Sequence, residues 1–296
     1  MLLTPTIKAH LALFAVALIY GANYTIAKEV LNNEYLQPLG FILMRAASAC
    51  FLFWILNMAT IKEKVERKDF GLLVLCGLTG IAINQMLFFS GLKLSQPINA
   101  SLIMTTIPIM IIVIAPLLTK ERITWWKASG VLTGAVGAVL LVLYGKSVQL
   151  GKENLMGDIF LFLNATSYGL YLVLVKKLMQ KYHAFTVMKW VFTFGLLFII
   201  PFGAPQLVDV DWSSFPTSIW LAIAYVLLFT TFFAYLFNAY ALKIVSPTVA
   251  GIYVYLQPLL TTMVALWTGK DELTMIKVLA GMLIFFGVFL VTQKPK

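Results

Sequence analysis

Charged residues are scarce in this chain of 296 residues. Lysine, arginine, aspartate and glutamate make up only 11% of it, whereas a soluble domain carries about 25%. Cysteine and histidine occur only twice each, and Cys50 and Cys76 lie inside apolar runs without the spacing of a metal site. The composition therefore excludes an ordinary soluble domain, and we expect the two cysteines to be buried packing residues.

Motifs of membrane enzymes are also missing. An intramembrane metalloprotease needs a His-Glu-x-x-His pair and a prenyl-transfer enzyme needs paired aspartates, but His10 and His183 stand alone near the edges of apolar runs. The chain has no glycine-rich phosphate loop for direct use of ATP and no channel-type ring of charges. We expect no enzyme, no catalytic residue, no metal site and no cofactor.

The chain has instead a series of long apolar runs. Hydrophobic residues make up 61% of it, and runs of about twenty residues are long enough to cross roughly 30 Å of hydrocarbon. The sequence predicts an all-α membrane protein with ten transmembrane helices. The predicted spans are 11–30, 38–58, 70–92, 97–118, 126–144, 156–178, 185–202, 219–242, 247–267 and 273–291.

The basic residues are distributed unevenly between the two sides that these spans define. Segments on the side of the N-terminus hold most of them, including Lys62, Lys64, Arg67 and Lys68 after the second span. Cytoplasmic loops of membrane proteins carry such an excess of lysine and arginine. We therefore place both termini in the cytoplasm, and we interpret the net charge of +10 as a sign of topology rather than of a nucleic-acid partner.

Two charged segments far apart in the chain have nearly the same sequence. LLTKERIT begins at Leu117, and WTGKDELT begins 150 positions later at Trp267. In this register, which needs no gap, identical residues also align at Pro97, Pro108 and Gly137. Agreement at so many positions indicates an internal duplication.

The duplication divides the chain into two halves of five spans each. The first part of each half matches more weakly, through YGANYTIAK from Tyr20 and YGLYLVLVK from Tyr168. Because five is odd, the second half enters the membrane in the opposite orientation, and an inverted repeat of this kind forms a shared cavity near the midplane. We expect two inverted five-helix repeats, residues 1–148 and 149–296.

These motifs together resemble the drug/metabolite transporter superfamily, in its ten-helix EamA-type branch. The resemblance rests on YGANYTIAKEV near the N-terminus, on the run from GLKLSQPINA to TKERIT with the glycine-rich helix after it, and on the second-half copies. It covers essentially the whole chain. It implies two EamA repeats around a central cavity, bounded by the third, fourth, eighth and ninth spans and their neighbours.

The resemblance also implies a secondary transporter, because family members commonly export amino acids, related metabolites or drugs. We expect alternating access and export of an amino acid or related small metabolite. The alternative is a multidrug exporter of lipophilic cations, and a channel is less favoured still. The cation branch relies on a glutamate deep in its first helix, whereas Glu29 lies at the outer end of the first span here.

Polar and aromatic residues inside the spans are the candidates for the substrate site. Helical spacing places several of them on one face of the first and sixth spans, and pockets combine apolar walls with a few placed polar groups. The alternative for each residue is an interhelical hydrogen bond, worth about 0.6 kcal/mol. The candidates are Tyr20, Asn23, Tyr24, Arg45, Asn84, Gln85, Tyr168, Tyr171, Tyr253 and Gln257.

Arg45 is the only basic residue well inside the predicted spans. A charge near a helix centre costs about 2.5–3.5 kcal/mol on insertion scales, and it usually faces a cavity or a partner. At its depth, roughly 10 Å along the second span, the side chain could instead extend to the outer membrane interface. The sequence leaves both positions open.

Prolines and glycines mark two further features. Pro108 and Pro258 lie about eleven residues into related spans, where proline kinks a helix, and we predict hinges there. Gly130 and Gly134 form a small-xxx-small motif. Together with Gly137 they predict close packing of the fifth span on another helix.

The expected partners are a small-molecule substrate and the lipid bilayer. A complete internal pseudo-dimer is compatible with a functional monomer. The default location is the plasma (inner) membrane of a prokaryote, because the sequence contains no recognisable targeting segment.

Overall fold

The structure is a computed structural model, and it describes residues 4–32, 35–95, 97–119, 121–144, 155–267 and 274–293. All regular structure in these ranges is helical, and none of their residues forms a strand. The chain is thus an all-α protein, as its apolar runs predict.

The first half of the described chain contains seven α-helices. The first two are long and uninterrupted, and a π-helical segment at Leu78–Ala82 joins the third to the fourth. The helices are α1 (Pro5–Asn32), α2 (Pro38–Thr60), α3 (Phe70–Gly77), α4 (Ile83–Leu94), α5 (Pro97–Met104), α6 (Ile107–Leu118) and α7 (Trp125–Leu143).

The second half of the described chain contains eight more α-helices. A π-helical segment at Val226–Phe233 joins two of them, and a 3-10 turn at Tyr253–Tyr255 separates two others. The helices are α8 (Leu155–Lys181), α9 (Ala184–Gly203), α10 (Pro205–Val208), α11 (Thr217–Tyr225), α12 (Ala234–Ile244), α13 (Pro247–Ile252), α14 (Leu256–Trp267) and α15 (Met275–Thr292).

Eight helical spans within the described ranges are long and apolar enough to cross a membrane. They comprise α1, α2, α3 with α4, α7, α8, α9, α11 with α12, and α15. Their outer faces carry large apolar side chains such as Phe51, Leu132 and Phe286, which are more than half exposed and suit a lipid environment. The protein is therefore a multi-pass membrane protein.

The fourth and ninth predicted spans are each divided into two shorter helices. The first break lies at Thr105 and Thr106, whose backbone N–H groups donate to carbonyls three residues earlier. Both threonine hydroxyls donate to the same carbonyls, at 2.6 Å to Leu102 and 2.7 Å to Ile103. These bonds tighten the end of α5, so the chain turns before α6 begins.

Pro108 and Pro258 follow the two breaks. Pro108 is the second residue of α6 and Pro258 is the third of α14, in the first turn, where the missing N–H of proline costs no intrahelical bond. The second break is the 3-10 turn at Tyr253–Tyr255, just before α14. The kink predicted at each proline thus lies a few residues earlier, because each proline starts a new helix instead of interrupting one.

α7 and α15 pack face to face through glycines. A Cβ atom on Gly130 would lie 2.8 Å from the carbonyl oxygen of Gly287, and one on Gly137 would lie 2.7 Å from that of Ala280. A Cβ atom on Gly134 would lie 2.6 Å from the ring of Tyr255. The predicted packing role of these glycines is confirmed, because the close approach leaves no room for a side chain.

A second tight interface joins α2 to α9. Lys189 is buried in it, and its ammonium group donates to the Asn57 side chain at 2.5 Å. The same group lies 4.6 Å above the Trp54 ring, so the buried cation has both a hydrogen-bond acceptor and an aromatic face. Cys50 and Cys76 are buried free cysteines in the core around this interface, as predicted.

One end of the bundle is held together by an ion-pair cluster, which we call the Lys181 cluster. The Lys181 ammonium group lies 2.5 Å from the Asp69 carboxylate and 2.7 Å from that of Glu66. The Tyr182 hydroxyl donates to Asp69 at 2.6 Å. Hydrogen bonds from Lys181 and then from Lys68 lower the pKa of Glu66. The cluster ties the segment after α2 to the corner between α8 and α9.

Candidate functional site

A cavity lies in the middle of the bundle, between α1, α8, α12 and the broken ninth span. Side chains close in on it and leave only about 10 Å³ open, which is near the lower limit for holding one water molecule. The walls are apolar, with a few polar groups from each side. The lining residues are Leu13, Val16, Ala17, Tyr20, Tyr168, Leu172, Asn238, Ala250, Tyr253, Val254 and Gln257.

Two of the lining tyrosines come from related positions of the two halves. Tyr20 of α1 and Tyr168 of α8 each begin a YG motif, and both line the cavity. Asn238 of α12 donates its amide N–H to the Tyr168 hydroxyl at 3.5 Å, and Gln257 of α14 lines the same space. Phenol and amide groups together offer donors and acceptors without a formal charge.

The break in the ninth span brings Tyr253 to the cavity. Its hydroxyl lies 2.8 Å from Nδ1 of His10, and the two rings are 5.9 Å apart. This hydrogen bond joins α1 to the 3-10 turn. His10, which the sequence analysis does not select, is therefore within hydrogen-bonding reach of a lining residue.

Two other predicted site residues lie away from the cavity wall. Tyr171 is fully buried and packs so closely against Gly80 that a Cβ atom there would clash with its ring. The backbone carbonyl of Asn84 accepts a hydrogen bond from the Asn164 side chain at 2.5 Å. This bond holds α4 against α8, as expected of an interhelical polar contact.

Asn23 and Tyr24 lie farther along α1. Asn23 is partly buried, and its side-chain carbonyl oxygen has no hydrogen-bond partner in the described part of the chain. The side chain of Tyr24 lies outside the described residues. Their predicted place on the Tyr20 face of α1 thus stays a prediction.

Arg45 is buried inside the protein and does not extend to the membrane interface. It is 7% exposed, and its Nε–H donates to the Thr231 hydroxyl at 3.0 Å. Tyr235 and Tyr20 also lie near its guanidinium group. No carboxylate of a described residue lies within 4.0 Å of it. Of the two positions left open by the sequence, the interior one is therefore correct.

Gln85 of α4 approaches the same tyrosine. It is 4% exposed and lies close to the Tyr235 hydroxyl, yet neither of its amide atoms has a hydrogen-bond partner among the described groups. The Tyr235 hydroxyl donates to the Gly80 carbonyl at 3.0 Å. Arg45, Gln85, Thr231 and Tyr235 form one polar group in the core, which we call the Arg45 cluster.

The two π segments shape the Arg45 cluster. Thr231 lies in Val226–Phe233 and donates its hydroxyl proton to the Val226 carbonyl, five residues earlier, at 2.9 Å. Gly80, the acceptor for Tyr235, lies in Leu78–Ala82. A π turn displaces carbonyl groups from the regular ladder of helical hydrogen bonds, and such segments are frequent at functional sites.

Three polar residues of the eighth span are not among the candidates predicted from the sequence. Thr231, Tyr235 and Asn238 follow one another at i, i+4 and i+7, the spacing of one helix face. That signal is present in the sequence. In the structure Asn238 lines the cavity, Thr231 accepts a hydrogen bond from Arg45, and Tyr235 lies near Arg45.

The sequence matches the EamA-like transporter family over residues 7–143 and again over residues 155–293. The chain belongs to this family. The two matches include nearly all of the described helices, and they confirm the resemblance to the drug/metabolite transporter superfamily. This EamA-like transporter is thus a membrane transporter.

Relatives of this EamA-like transporter match along its whole length. A protein of Archaeoglobus fulgidus, described as an uncharacterized transporter, is 26% identical over 287 residues, which are 97% of this chain and 98% of that protein. The uncharacterized transporter YyaM of Bacillus subtilis is 23% identical, over 95% of this chain and 92% of YyaM. Both proteins are named as transporters, and neither name states a substrate.

A protein of known crystal structure has the same fold as this EamA-like transporter. The two superpose with a TM-score of 0.78 at 19% sequence identity, and the superposition covers 96% of each chain. Agreement over nearly the whole length at such low identity supports the helical architecture alone.

Proposed function

We propose that this transporter exports amino acids or related small metabolites by alternating access, through the cavity between α1, α8, α12 and α14. The observation that carries the proposal is the cavity itself, which lies between helices of both halves beside a broken span in a member of a transporter family. Secondary transporters bind their substrates near the bilayer midplane, at discontinuous helices. Tyrosine and amide groups in the wall suit a small polar solute.

The proposal includes ten spans arranged as two inverted repeats, residues 1–148 and 149–296. Reciprocal contacts in the register of 150 residues support it. Gly130 packs on Gly287, and Gly137 packs on Ala280. In that register Gly130 aligns with Ala280 and Gly137 aligns with Gly287. Reciprocal pairs of this kind are what a two-fold axis produces.

The irregular segments follow the same register and support the repeat further. The break at residues 105–106 aligns with residues 255–256, at the end of the 3-10 turn before α14. The π segment Leu78–Ala82 aligns with residues 228–232, inside Val226–Phe233. Helix packing is also paired, since α4 packs on α8 while α12 packs on α1. Interrupted helices at matching positions of two halves point to the binding region of a transporter.

The proposed topology places both termini in the cytoplasm and the bundle in a prokaryotic plasma membrane. Ten crossings put the segment after α2 and the corner after α8 on one side, and the Lys181 cluster joins these two segments. They put Leu39 and Gln206 on the other side, where the Gln206 side chain accepts the Leu39 N–H at 2.8 Å. The excess of basic residues on the first side supports its cytoplasmic location.

In an alternating-access cycle the present conformation corresponds to a closed stage. The Lys181 cluster joins the segment after α2 to the corner after α8 at the proposed cytoplasmic end, and the lining side chains leave only about 10 Å³ of the cavity open. Opening requires helices to move apart, and the two breaks provide points at which half-helices tilt. Pro108 and Pro258, at the starts of the second half-helices, are the proposed hinges.

A lipophilic cation suits this site less well than an amino acid. None of the residues that line the cavity in the described chain carries a carboxylate, and the guanidinium of Arg45 lies near the lining residue Tyr20. A buried positive charge beside the cavity repels a second cation. The proposed partners are therefore the small solute and the lipid bilayer, with one chain sufficient for transport.

Flux from proteoliposomes tests the proposal. Vesicles that contain the purified protein and a radiolabelled amino-acid mixture should lose particular amino acids faster than protein-free vesicles. Tyr168→Ala and Asn238→Ala remove polar groups of the cavity and should reduce that flux. Phe162→Ala, on the exposed face of α8, is the matched control and should leave it unchanged. The proposal fails if no amino acid or related metabolite is released, or if a quaternary ammonium dye is the only exported solute.

A further inference from the structure

Arg45 is a buried cation with most of its hydrogen-bonding capacity unused. A guanidinium group has five N–H donors, and among described groups only the Thr231 hydroxyl accepts one of them, at 3.0 Å from Nε. No described carboxylate is close enough to pair with the charge. Charged residues inside a membrane protein are costly, and they mark ion or substrate pathways.

Gln85 is a second unsatisfied group beside the first. Its amide nitrogen and amide oxygen are both buried without a hydrogen-bond partner in the described structure, although buried side-chain polar groups are almost always paired. Arg45 and Gln85 thus both present unused N–H donors within one cluster around Tyr235. Both donors would be satisfied by a single acceptor group with two oxygen atoms.

The Arg45 cluster adjoins the cavity. Tyr20 lines the cavity and lies near Arg45. On the other side the Tyr168 ring lies 6.0 Å from the Tyr171 ring, which lies 6.2 Å from the Tyr235 ring. Aromatic side chains therefore connect the cavity wall to the cluster from two directions. A solute in an opened cavity reaches Arg45 past Tyr20.

We infer that Arg45 and Gln85 bind the carboxylate group of the transported solute. The guanidinium fork matches a carboxylate through two parallel hydrogen bonds, and the Gln85 amide N–H is free to donate to one of the same oxygens. The Thr231 hydroxyl accepts the hydrogen bond from Nε of Arg45 and so orients the guanidinium group. The Tyr235 hydroxyl gives its proton to Gly80, so it does not compete as a donor for the carboxylate.

This inference rests on the proposed function and narrows its substrate class. Amino acids and small organic acids carry the required carboxylate, whereas amines, esters and amides do not. The cluster is closed around Arg45 in this conformation, so binding accompanies the separation of α1 and α4 from the eighth span. A ligand that binds only the opened state shifts the protein toward that state.

Thermal-shift titration of the full chain in detergent, with matched compounds, tests the inference. L-phenylalanine, 3-phenylpropanoate and L-phenylalaninamide share a benzyl group. The first two carry a carboxylate, whereas L-phenylalaninamide carries an amide in its place. A parallel series of L-leucine, 4-methylpentanoate and L-leucinamide covers a smaller, branched side chain. We expect carboxylates of at least one series to raise the unfolding temperature, and the corresponding amide to leave it unchanged.

Substitutions in the cluster should remove this selectivity. Arg45→Ala and Gln85→Leu should each weaken carboxylate binding by roughly 10- to 100-fold, the range of a charge-assisted hydrogen bond. Gln85→Leu deletes an amide that has no described partner, so this variant should fold at least as stably as the wild type. It therefore tests the inference even if Arg45→Ala does not fold. Lys189→Met is the matched control, because that buried cation is already satisfied by Asn57, and binding should be unchanged.

Three results would overturn the inference: equal stabilisation by amides and carboxylates, no stabilisation of the wild type by any carboxylate, or unchanged carboxylate affinity in Gln85→Leu. The proposed function is tested separately by flux. Export of a neutral metabolite without carboxylate selectivity leaves the transporter proposal standing and removes this inference. Carboxylate binding through Arg45 and Gln85 without release of any amino acid or related metabolite supports the carboxylate site and contradicts the proposed export.

Discussion

Replacing Gly287 with alanine tests how closely α7 and α15 approach each other. The new Cβ atom would lie 2.6 Å from the Gly130 carbonyl oxygen and 2.7 Å from the Gly134 nitrogen. Both are backbone atoms, so no rotamer change relieves the contact and the two helices must separate. Reaching an ordinary contact of 3.4 Å needs a shift of about 0.8 Å, and a gap of that size forfeits a quarter to a half of the dispersion energy of the atoms across it.

The magnitude follows from two opposing effects. Overpacking of this kind costs about 1–3 kcal/mol, whereas alanine favours a helix over glycine by about 1 kcal/mol in water. Gly281→Ala on the same helix is the control, because only the tip of the flexible Leu259 side chain, at 3.3 Å, lies near its Cβ. The helix-propensity gain is common to both variants, so the difference in their stability isolates the packing cost of about 1–3 kcal/mol.

Thermal unfolding in detergent, followed by tryptophan fluorescence, measures this difference. For a chain of this size about 1–3 kcal/mol corresponds to roughly 2–6 °C, so the midpoint of Gly287→Ala should fall below that of Gly281→Ala by this amount. Equal midpoints would refute the close approach of the two backbones. They would also remove the reciprocal glycine contacts that support the inverted repeat.

Three further changes have expected outcomes. Because hydrogen bonds lower the pKa of Glu66, the Lys181 cluster stabilises the fold above the unfolded carboxyl pKa of about 4.3 and loses this effect as the pH falls through the lower folded value. The difference in unfolding temperature between the wild type and Lys181→Met should therefore shrink between roughly pH 6 and pH 3, and a constant difference would contradict this. Asn57→Leu leaves the buried Lys189 ammonium without its acceptor and should lower stability by about 1.5–3 kcal/mol in the same assay, so an unchanged midpoint would count against the bond. Pro108→Ala lets α5 and α6 join into one helix and should slow proteoliposome flux at unchanged substrate affinity, whereas flux equal to that of the wild type would argue against a hinge.

The predicted cavity residues divide according to how helices are rotated about their axes. Four of the candidates line the cavity, namely Tyr20, Tyr168, Tyr253 and Gln257, because polar groups that share one helix face tend to turn away from lipid. Their role in substrate binding stays a prediction. Tyr171 lies in the core instead. Helical spacing groups residues on a face, but it does not state which neighbour that face meets.

The sequence by itself determined that this protein is helical, crosses a membrane several times and belongs to a transporter family. The reason is that roughly 30 Å of hydrocarbon requires long apolar runs, which are visible in linear order, and a duplication leaves its register in the same order. Close packing of glycines in the fifth span could be predicted in the same way, because small residues at helical spacing have few other uses in lipid.

Only the tertiary structure decided which polar groups meet. Arg45 is bonded to Thr231, 186 positions away in the chain, and Gln85 approaches Tyr235 from another helix. In a membrane protein the lipid-facing and core-facing surfaces are both apolar, so hydrophobic periodicity barely marks the buried face of a span. The breaks and π segments change that face again within single spans. The contacts of the Arg45 cluster therefore exist only once the helices are packed.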